Sequence, residues 1–175
     1  MTINDCFAQP KKLLSVADAL MQLQAAAVAV TEIEIVPLAQ AGGRILAAAL
    51  VSDRDIPGFN NAALDGYALR GEDLIVGQPT ILPIVGQSTA GHASAKALQP
   101  GTAMRILTGA QMPIGADTVV MQEDVERIDG RVTIPAGVKP GSNWRPRGED
   151  VSEGQTVLSL GQCLRAQDIG MAAAV

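Results

Sequence analysis

The sequence predicts a mainly β fold that carries an N-terminal helix and begins a second helix at its end. Three observations support that expectation. From Thr31 onward the chain breaks into short apolar runs separated by Gly, Pro and Asp-Gly signals, the pattern of strands joined by tight turns. Those runs do not alternate with helical segments, and no G-x-G-x-x-G or G-x-x-x-x-G-K-[ST] loop occurs, so a Rossmann or P-loop nucleotide unit is absent from these residues. Hydrophobic residues make up 47% of the 175 positions while aromatics are only 2%, so the core must be built from Ala, Val, Ile and Leu.

The elements follow in order. Residues 15–29 read as a helix: Ser15 with Asp18 has capping-box spacing, and Val16, Leu20, Leu23 and Ala27 fall on one face. "TEIEIVP" (31–37) alternates polar and β-branched residues, as a half-buried strand does, and an apolar run extends from Ile45 to Val51. "PTILPIV" (79–85) holds two prolines and reads as an edge or irregular strand. "QPGTAMRILTG" places a Pro-Gly turn before a strand, and "GADTVVMQE" is a strand entered through Gly115. In "VERIDGRVTI" the Asp129-Gly130 pair between alternating residues is the clearest hairpin signal. "QTVLSLGQCL" gives one more strand and turn, and "AQDIGMAAAV" starts a helix.

Composition excludes several function classes. A net charge of −5 with so few rings provides neither the basic surface nor the stacking platform of a nucleic-acid binder. No apolar run approaches the ~18 residues of a membrane span, and "MTINDCFAQPKK" lacks the apolar centre of a signal peptide. Cys6 and Cys163 are far apart and belong to no C-x-x-C pair, which fits two free thiols in a reduced cytoplasm. His92 is the only histidine, so a His-rich zinc site is excluded and a Ser-His-Asp triad would depend on it; in "AGHAS" it reads as a solvated loop side chain.

Three loops hold the residues that can carry chemistry. In "PGFNNAALDGYALR" (57–70), Asp65 is followed by Gly66, which permits positive φ or close approach by another group, and is flanked by apolar anchors. A carboxylate so pinned suits a metal ligand or general base; the plainer reading is an Asp-Gly turn capping its own backbone. In "RILTGAQMPIGADTVVMQED", Thr108 and Gly109 follow a strand, where a turn can cradle an anion or simply be capped by a threonine. In "KPGSNWRPRGED", Arg145 and Arg147 lie beside Glu149 and Asp150. They either serve a phosphate or oxyanion or are neutralised by those acids across a domain joint. Pro146 biases Arg145 toward extended backbone, which points both arginines one way and Trp144 the other. That geometry leans toward anion binding, with Asp150 orienting one arginine.

Together the loops resemble one family. "PGFNNAALDGYALR" is similar to P-x-F-D-N-S-A-M-D-G-Y-A. "PGTAMRILTGAQMPIGADTVVMQE" is similar to P-G-x-A-x-R-I-x-T-G-A-x-x-P-x-G-A-D-x-V-V-x-x-E. "RPRGEDVSEGQTVLSLGQCL" is similar to the R-x-x-G-E-D-x-x-x-G segment. These are the patterns of molybdopterin molybdenumtransferase, the MoeA and gephyrin E-domain group, and the resemblance covers nearly the whole chain.

The resemblance implies an elongated two-domain architecture in which a β domain (51–144) is inserted into a helix-plus-strands domain built from 1–50 and 145–175. It implies transfer of molybdate into adenylylated molybdopterin with release of AMP, assisted by Mg2+, in a cytoplasmic homodimer that handles small anionic substrates and can meet other molybdenum cofactor biosynthesis proteins. Family members continue into an α/β pterin-binding domain, so the chain reads either as the front part of such an enzyme, inactive alone, or as a naturally short paralogue, and the incomplete final helix favours the former. The residues carried over are Asp65, Thr108 and Asp150 as catalytic, Arg145, Arg147 and Gly109 as substrate-binding, and Asp65 as a Mg2+ ligand. Phe59 and Tyr67 are expected to wedge the Asp65 loop against its domain. Asn60, Ala62 and Leu64 depart from the family's Asp, Ser and Met and remove a charge and a hydroxyl near Asp65. Two rival readings remain: a non-catalytic dimerisation or scaffold module of the same fold, and a stand-alone oxyanion binder using Thr108 and the arginines.

Overall fold

The computed structural model describes residues 14–28, 31–92 and 96–175. Compactness divides the chain into two units, residues 1–35 and 36–175. In the first, helix α1 spans Val16–Ala26. Its start is the expected box: Asp18 N–H donates to Ser15 Oγ (3.1 Å), and that hydroxyl donates to the Asp18 carboxylate (2.7 Å). The helix stops three residues short of the expected end, and Ala29 lies outside the described residues, as does Cys6. None of its residues is buried.

Residues 31–37 are not a strand. Alternation produces a half-buried strand only where a neighbouring strand accepts the ladder, and no described residue does so here; Ile33 and Ile35 are both exposed.

In the second unit, the run 43–57 lies antiparallel to 148–164 along its whole length. Strand β1 (Leu50–Val51) pairs with β10 (Thr156–Leu158), isolated bridges join Ile45 to Cys163 and Ile56 to Val151, and Gly43 N–H donates to Leu164 O at 2.8 Å. The apolar run 45–51 is therefore strand only at its end. Helix α2 (Ala166–Ala174) packs Ile169 and Ala172 onto Ala41, Leu158 and Leu164, the small core of this region. Its first turn is closed by Asp168, which accepts from the backbone N–H (2.9 Å) and the guanidinium of Arg165.

The main body is a six-stranded sheet in the order β6-β3-β5-β4-β8-β7. Its members are β3 (Gly66–Leu69), β4 (Thr80–Ser88), β5 (Ala103–Ile106), β6 (Thr118–Met121), β7 (Glu126–Ile128) and β8 (Arg131–Ile134). The β7–β8 hairpin turns on Asp129 (φ 48°) and Gly130 (φ 72°), the two positive values a type I′ turn requires. Strands β5 and β6 lie where the turn signals place them.

Strand β4 is the irregular strand that its prolines signal, and it lies inside the sheet rather than at an edge. Its first half pairs with β8 and its second half, past an irregularity, runs parallel to β5. Ile84 N–H donates to Gly130 O. By the alternation of an antiparallel ladder, the nitrogen of Pro83 then faces away from β8, on the side where β5 begins only opposite Ile84. A proline costs no ladder bond there.

Strand β3 was not legible as a strand. All four of its residues are buried, because the sheet has a core on each face. Tyr67 and Leu69 join Leu82, Val120, Val132 and Ile134 on one side, while Ala68 joins Ala62, Ile106, Met112 and Val119 on the other. A strand buried on both faces shows no period of two. Trp144 packs into the second core, on the side expected for it.

Candidate functional site

The segment 57–65 is where the three loops meet. Strand β2 (Asn61–Ala62) pairs on one side with β9 (Trp144–Arg145). On its other side it is laced to the Thr108–Gly109–Ala110 turn: Gly109 N–H donates to Ala62 O, and Ala62 N–H donates to Ala110 O, both at 2.9 Å. Asn61 also bridges Gln111, and Met112 N–H donates to Asn60 O. Stretches far apart in sequence thus sit one strand spacing either side of β2.

Asp65 stands at the start of β3, at the sheet end where β5 and β6 finish; Gly66 is opposite both Ile106 and Met121. It is not in a tight Asp-Gly turn. Gly66 lacks positive φ, and its need is for close approach: an added Cβ would lie 1.9 Å from Val120 O. The half-buried Asp65 carboxylate caps a distant backbone instead, accepting from Thr108 N–H (2.8 Å) and Thr108 Oγ1 (2.6 Å) with the same oxygen, Oδ1. The hydroxyl and backbone hydrogen bonds from Thr108 hold the carboxyl below its ordinary range, with a smaller contribution from Arg105. Asp65 is therefore ionised at neutral pH. Such a carboxylate is a weak general base and suits positioning or cation binding.

Thr108 and Gly109 are exposed, but their turn has little left to offer an anion through its backbone. The N–H groups of 108, 109, 110 and 112 go to Asp65 Oδ1, Ala62 O, Leu107 O and Asn60 O. What the turn leaves open is the Thr108 hydroxyl oxygen, whose proton goes to Asp65 Oδ1, and the face of Gly109, where no atom lies within 4 Å of an added Cβ.

The two arginines are paired to different carboxylates. Arg145 gives Nε to Glu149 and Nη2 to Asp150, both at 2.5 Å, and these partners, Asp150 first, raise its pKa. Arg147 gives Nε to Asp55 and its backbone N–H to Asn60 Oδ1 (2.8 Å). Asp55 also accepts from Glu153 N–H, and that bond, more than Arg147, lowers its pKa. Both guanidinium groups remain partly open, at 41% and 58% side-chain exposure, so they keep donors for a ligand while already carrying counter-charge. Tyr67 is buried as expected, but Phe59 is exposed, so the wedge is made by Tyr67 alone.

Sequence reasoning missed Asp55, Arg105 and Gln122. Asp55 sits in "VSDRDIP", which gives no local signal. Arg105 had one: it is the single charged residue of the strand "AMRI", whose other three residues are buried. Gln122 N–H donates to Asp65 O at 3.1 Å. A cleft of ≈ 350 Å³ walled by Leu74, Val76, Thr80, Pro135 and Val138 opens at the other end of β3, and none of the residues singled out from sequence lines it. Among the described residues no helix is long and apolar enough to cross a membrane, and no group of three or more His, Cys, Asp or Glu is placed to hold a metal by itself.

A family model described as MoeA N-terminal region (domain I and II) matches residues 14–175. Molybdopterin molybdenumtransferase 2 of Mycobacterium tuberculosis is 41% identical over 143 residues, covering 80% of this chain and 35% of that protein. The molybdopterin molybdenumtransferase of Nostoc sp. is 43% identical over 144 residues, covering 81% of this chain and 33% of the relative. Among solved structures, the molybdopterin biosynthesis moeA protein from Pyrococcus horikoshii superposes with a TM-score of 0.84 at 38% identity, over 93% of this chain and 44% of that one. The chain thus spans between a third and a little under half the length of these relatives.

Proposed function

We propose, on the premise that this chain belongs to the MoeA N-terminal region family, that it forms one wall of a site that inserts molybdate into adenylylated molybdopterin and releases AMP. The observation that carries the reading is the convergence on β2 of the Asp65, Thr108 and Arg145 segments, with Asp65 held ionised by Thr108. Asp65 and the Thr108 hydroxyl would orient the substrate, and the remaining donors of Arg145 and Arg147 would meet its phosphate charge. Asp150, with Glu149, would fix the direction in which the Arg145 fork points. Gly109 leaves room for the ligand to approach the turn.

Mg2+ fits this site as a shared ion. Asp65 Oδ2 takes no hydrogen bond from any described residue, so one charged oxygen is free to ligate. Mg2+ is commonly held by one or two carboxylates plus substrate phosphates, so Asp65 would share the ion with the substrate. When bound, the ion would neutralise charge on the phosphates.

A homodimer in the cytoplasm, and an inserted β domain over 51–144, belong to the same proposal. The lacing of 43–57 to 148–164 supports the insertion, since it brings the flanks of the intervening residues to one base.

The test is genetic and chemical. The complete reading frame encoding this chain should restore molybdoenzyme activity to a strain lacking its own molybdopterin molybdenumtransferase. Residues 1–175 alone, given adenylylated molybdopterin, Mg2+ and molybdate, should release no AMP above background. Failure to restore would refute the enzymatic reading; turnover by the 175 residues alone, at the order of 1 per second typical of enzymes, would refute the idea that this is one wall of a larger site.

A further inference from the structure

Strand β5 is an awkward place for a cation. Ala103, Met104 and Ile106 are each buried, and Arg105 faces the same side as the core residue Tyr67, directly opposite it on β3. An apolar residue at 105 would simply extend that core. Arginine instead lays its guanidinium over the Tyr67 ring, 5.2 Å from the centroid, and spends its fork on two acceptors: Nη1 donates to Gly66 O at 3.0 Å and Nη2 to Gln122 Oε1.

Both acceptors belong to residues adjoining Asp65. Gly66 is its chain neighbour, and Gln122 donates its own N–H to Asp65 O. On the other side Gly66 is pressed against β6, with Val120 O where a Cβ would stand. The Gly66–Tyr67 peptide, one unit past Asp65, is therefore gripped between β6 and the Arg105 fork, while Gln122 holds the Asp65 carbonyl.

We propose that Arg105, seated on Tyr67 and tied to Gly66 and Gln122, is the positioning residue that holds the Asp65–Thr108 pair in register at the sheet end. A lysine would not serve, because a single ammonium lacks the planar fork that reaches two separated acceptors while stacking on a ring. The catalytic consequence rests on the proposed molybdate transfer; the positional claim does not.

The experiment has two readouts. In the 175-residue chain, amide hydrogen exchange is followed by NMR at Thr108, whose N–H reports the Asp65 contact, and at Met104 and Ile106, which report the strand. Arg105→Met should speed exchange at Thr108 at least tenfold and leave the strand amides and the melting temperature nearly unchanged. In the protein encoded by the full reading frame, the same variant should lower kcat for AMP release by about 10²-fold with little change in KM, the scale expected of a misplacement near 1 Å. Guanidinium ion, added below unfolding concentrations, should restore part of both signals to Arg105→Ala.

Unchanged exchange at Thr108, or faster exchange spread evenly over β5, overturns the proposal. If the wild type releases no AMP but Thr108 loosens on its own, the molybdate-transfer reading falls and the positioning role stands. Should Arg105→Met not fold, Gln122→Ala removes the exposed acceptor alone, and it should loosen Thr108 in the same direction; no effect there refutes the clamp.

Discussion

Adding one methyl group at Gly66 should damage this protein more than its size suggests. The new Cβ would lie 1.9 Å from Val120 O, 2.8 Å from Val120 C and 3.3 Å from Met121 Cα. All three are backbone atoms of β6, so no side chain can swing aside, and relief requires β3 and β6 to part. They are paired from Gly66↔Met121 to Leu69↔Thr118 in the middle of two cores. Overpacking of a yielding core costs about 1–3 kcal/mol; with backbone on the far side the upper end applies, so Gly66→Ala should cost about 3 kcal/mol or more. For a chain of this size that lowers Tm by roughly 6–12 °C. Gly109→Ala is the control: its φ is +75° but no atom lies within 4 Å of the added Cβ. Backbone strain alone costs about 1 kcal/mol there, a shift of roughly 2–4 °C. Thermal melts followed by circular dichroism on both variants decide the matter. A Gly66→Ala melt no lower than that of Gly109→Ala would show that the sheet end is loose and that Asp65 is not held by the packing described.

Three further outcomes are expected. Asp65→Asn keeps an oxygen for Thr108 but loses the charge; AMP release by the protein from the full reading frame should fall by about 10²-fold or more, and a large fall in Tm with normal specific activity would reduce Asp65 to a structural cap. Arg145→Ala removes a partly open guanidinium from two exposed carboxylates, so it should change Tm little and weaken titratable molybdate or AMP binding; the opposite pattern would make the cluster structural. The Asp168 carboxyl is pulled from 3.8 to about 2, chiefly by hydrogen bonding from the Arg165 side chain and then from its backbone N–H. A depressed carboxyl stabilises the fold above its unfolded value and loses that contribution as pH falls through its folded one. The Tm difference between wild type and Asp168→Asn should therefore be constant above about pH 5 and shrink as pH falls from 3.8 toward about 2; a difference independent of pH would refute the α2 cap.

Local chemistry was enough wherever one short stretch decides its own conformation. The Ser15–Asp18 box, the Asp129-Gly130 turn with both residues at positive φ, and the strand after Pro100-Gly101 were all readable, because their cause lies within four or five residues. The family patterns around Asp65, Thr108 and Arg145 likewise stand in the sequence itself. Tertiary structure alone decided whatever depends on a partner far along the chain. "TEIEIVP" alternates like a strand and finds no ladder among the described residues, whereas "GYAL" shows no alternation and is a strand paired on both sides and buried on both faces. The prolines of "PTILPIV" left edge or irregular strand open; the strand is irregular and sits inside the sheet, because it changes partner beside Pro83. The same holds for the site. Asp65 finds its acceptor's role 43 residues away at Thr108, and Arg147 finds Asp55 at 92. Sequence supplies the groups and the turns that end each strand; which groups meet is set by strand order and register, and those are fixed only when the two cores close around β3.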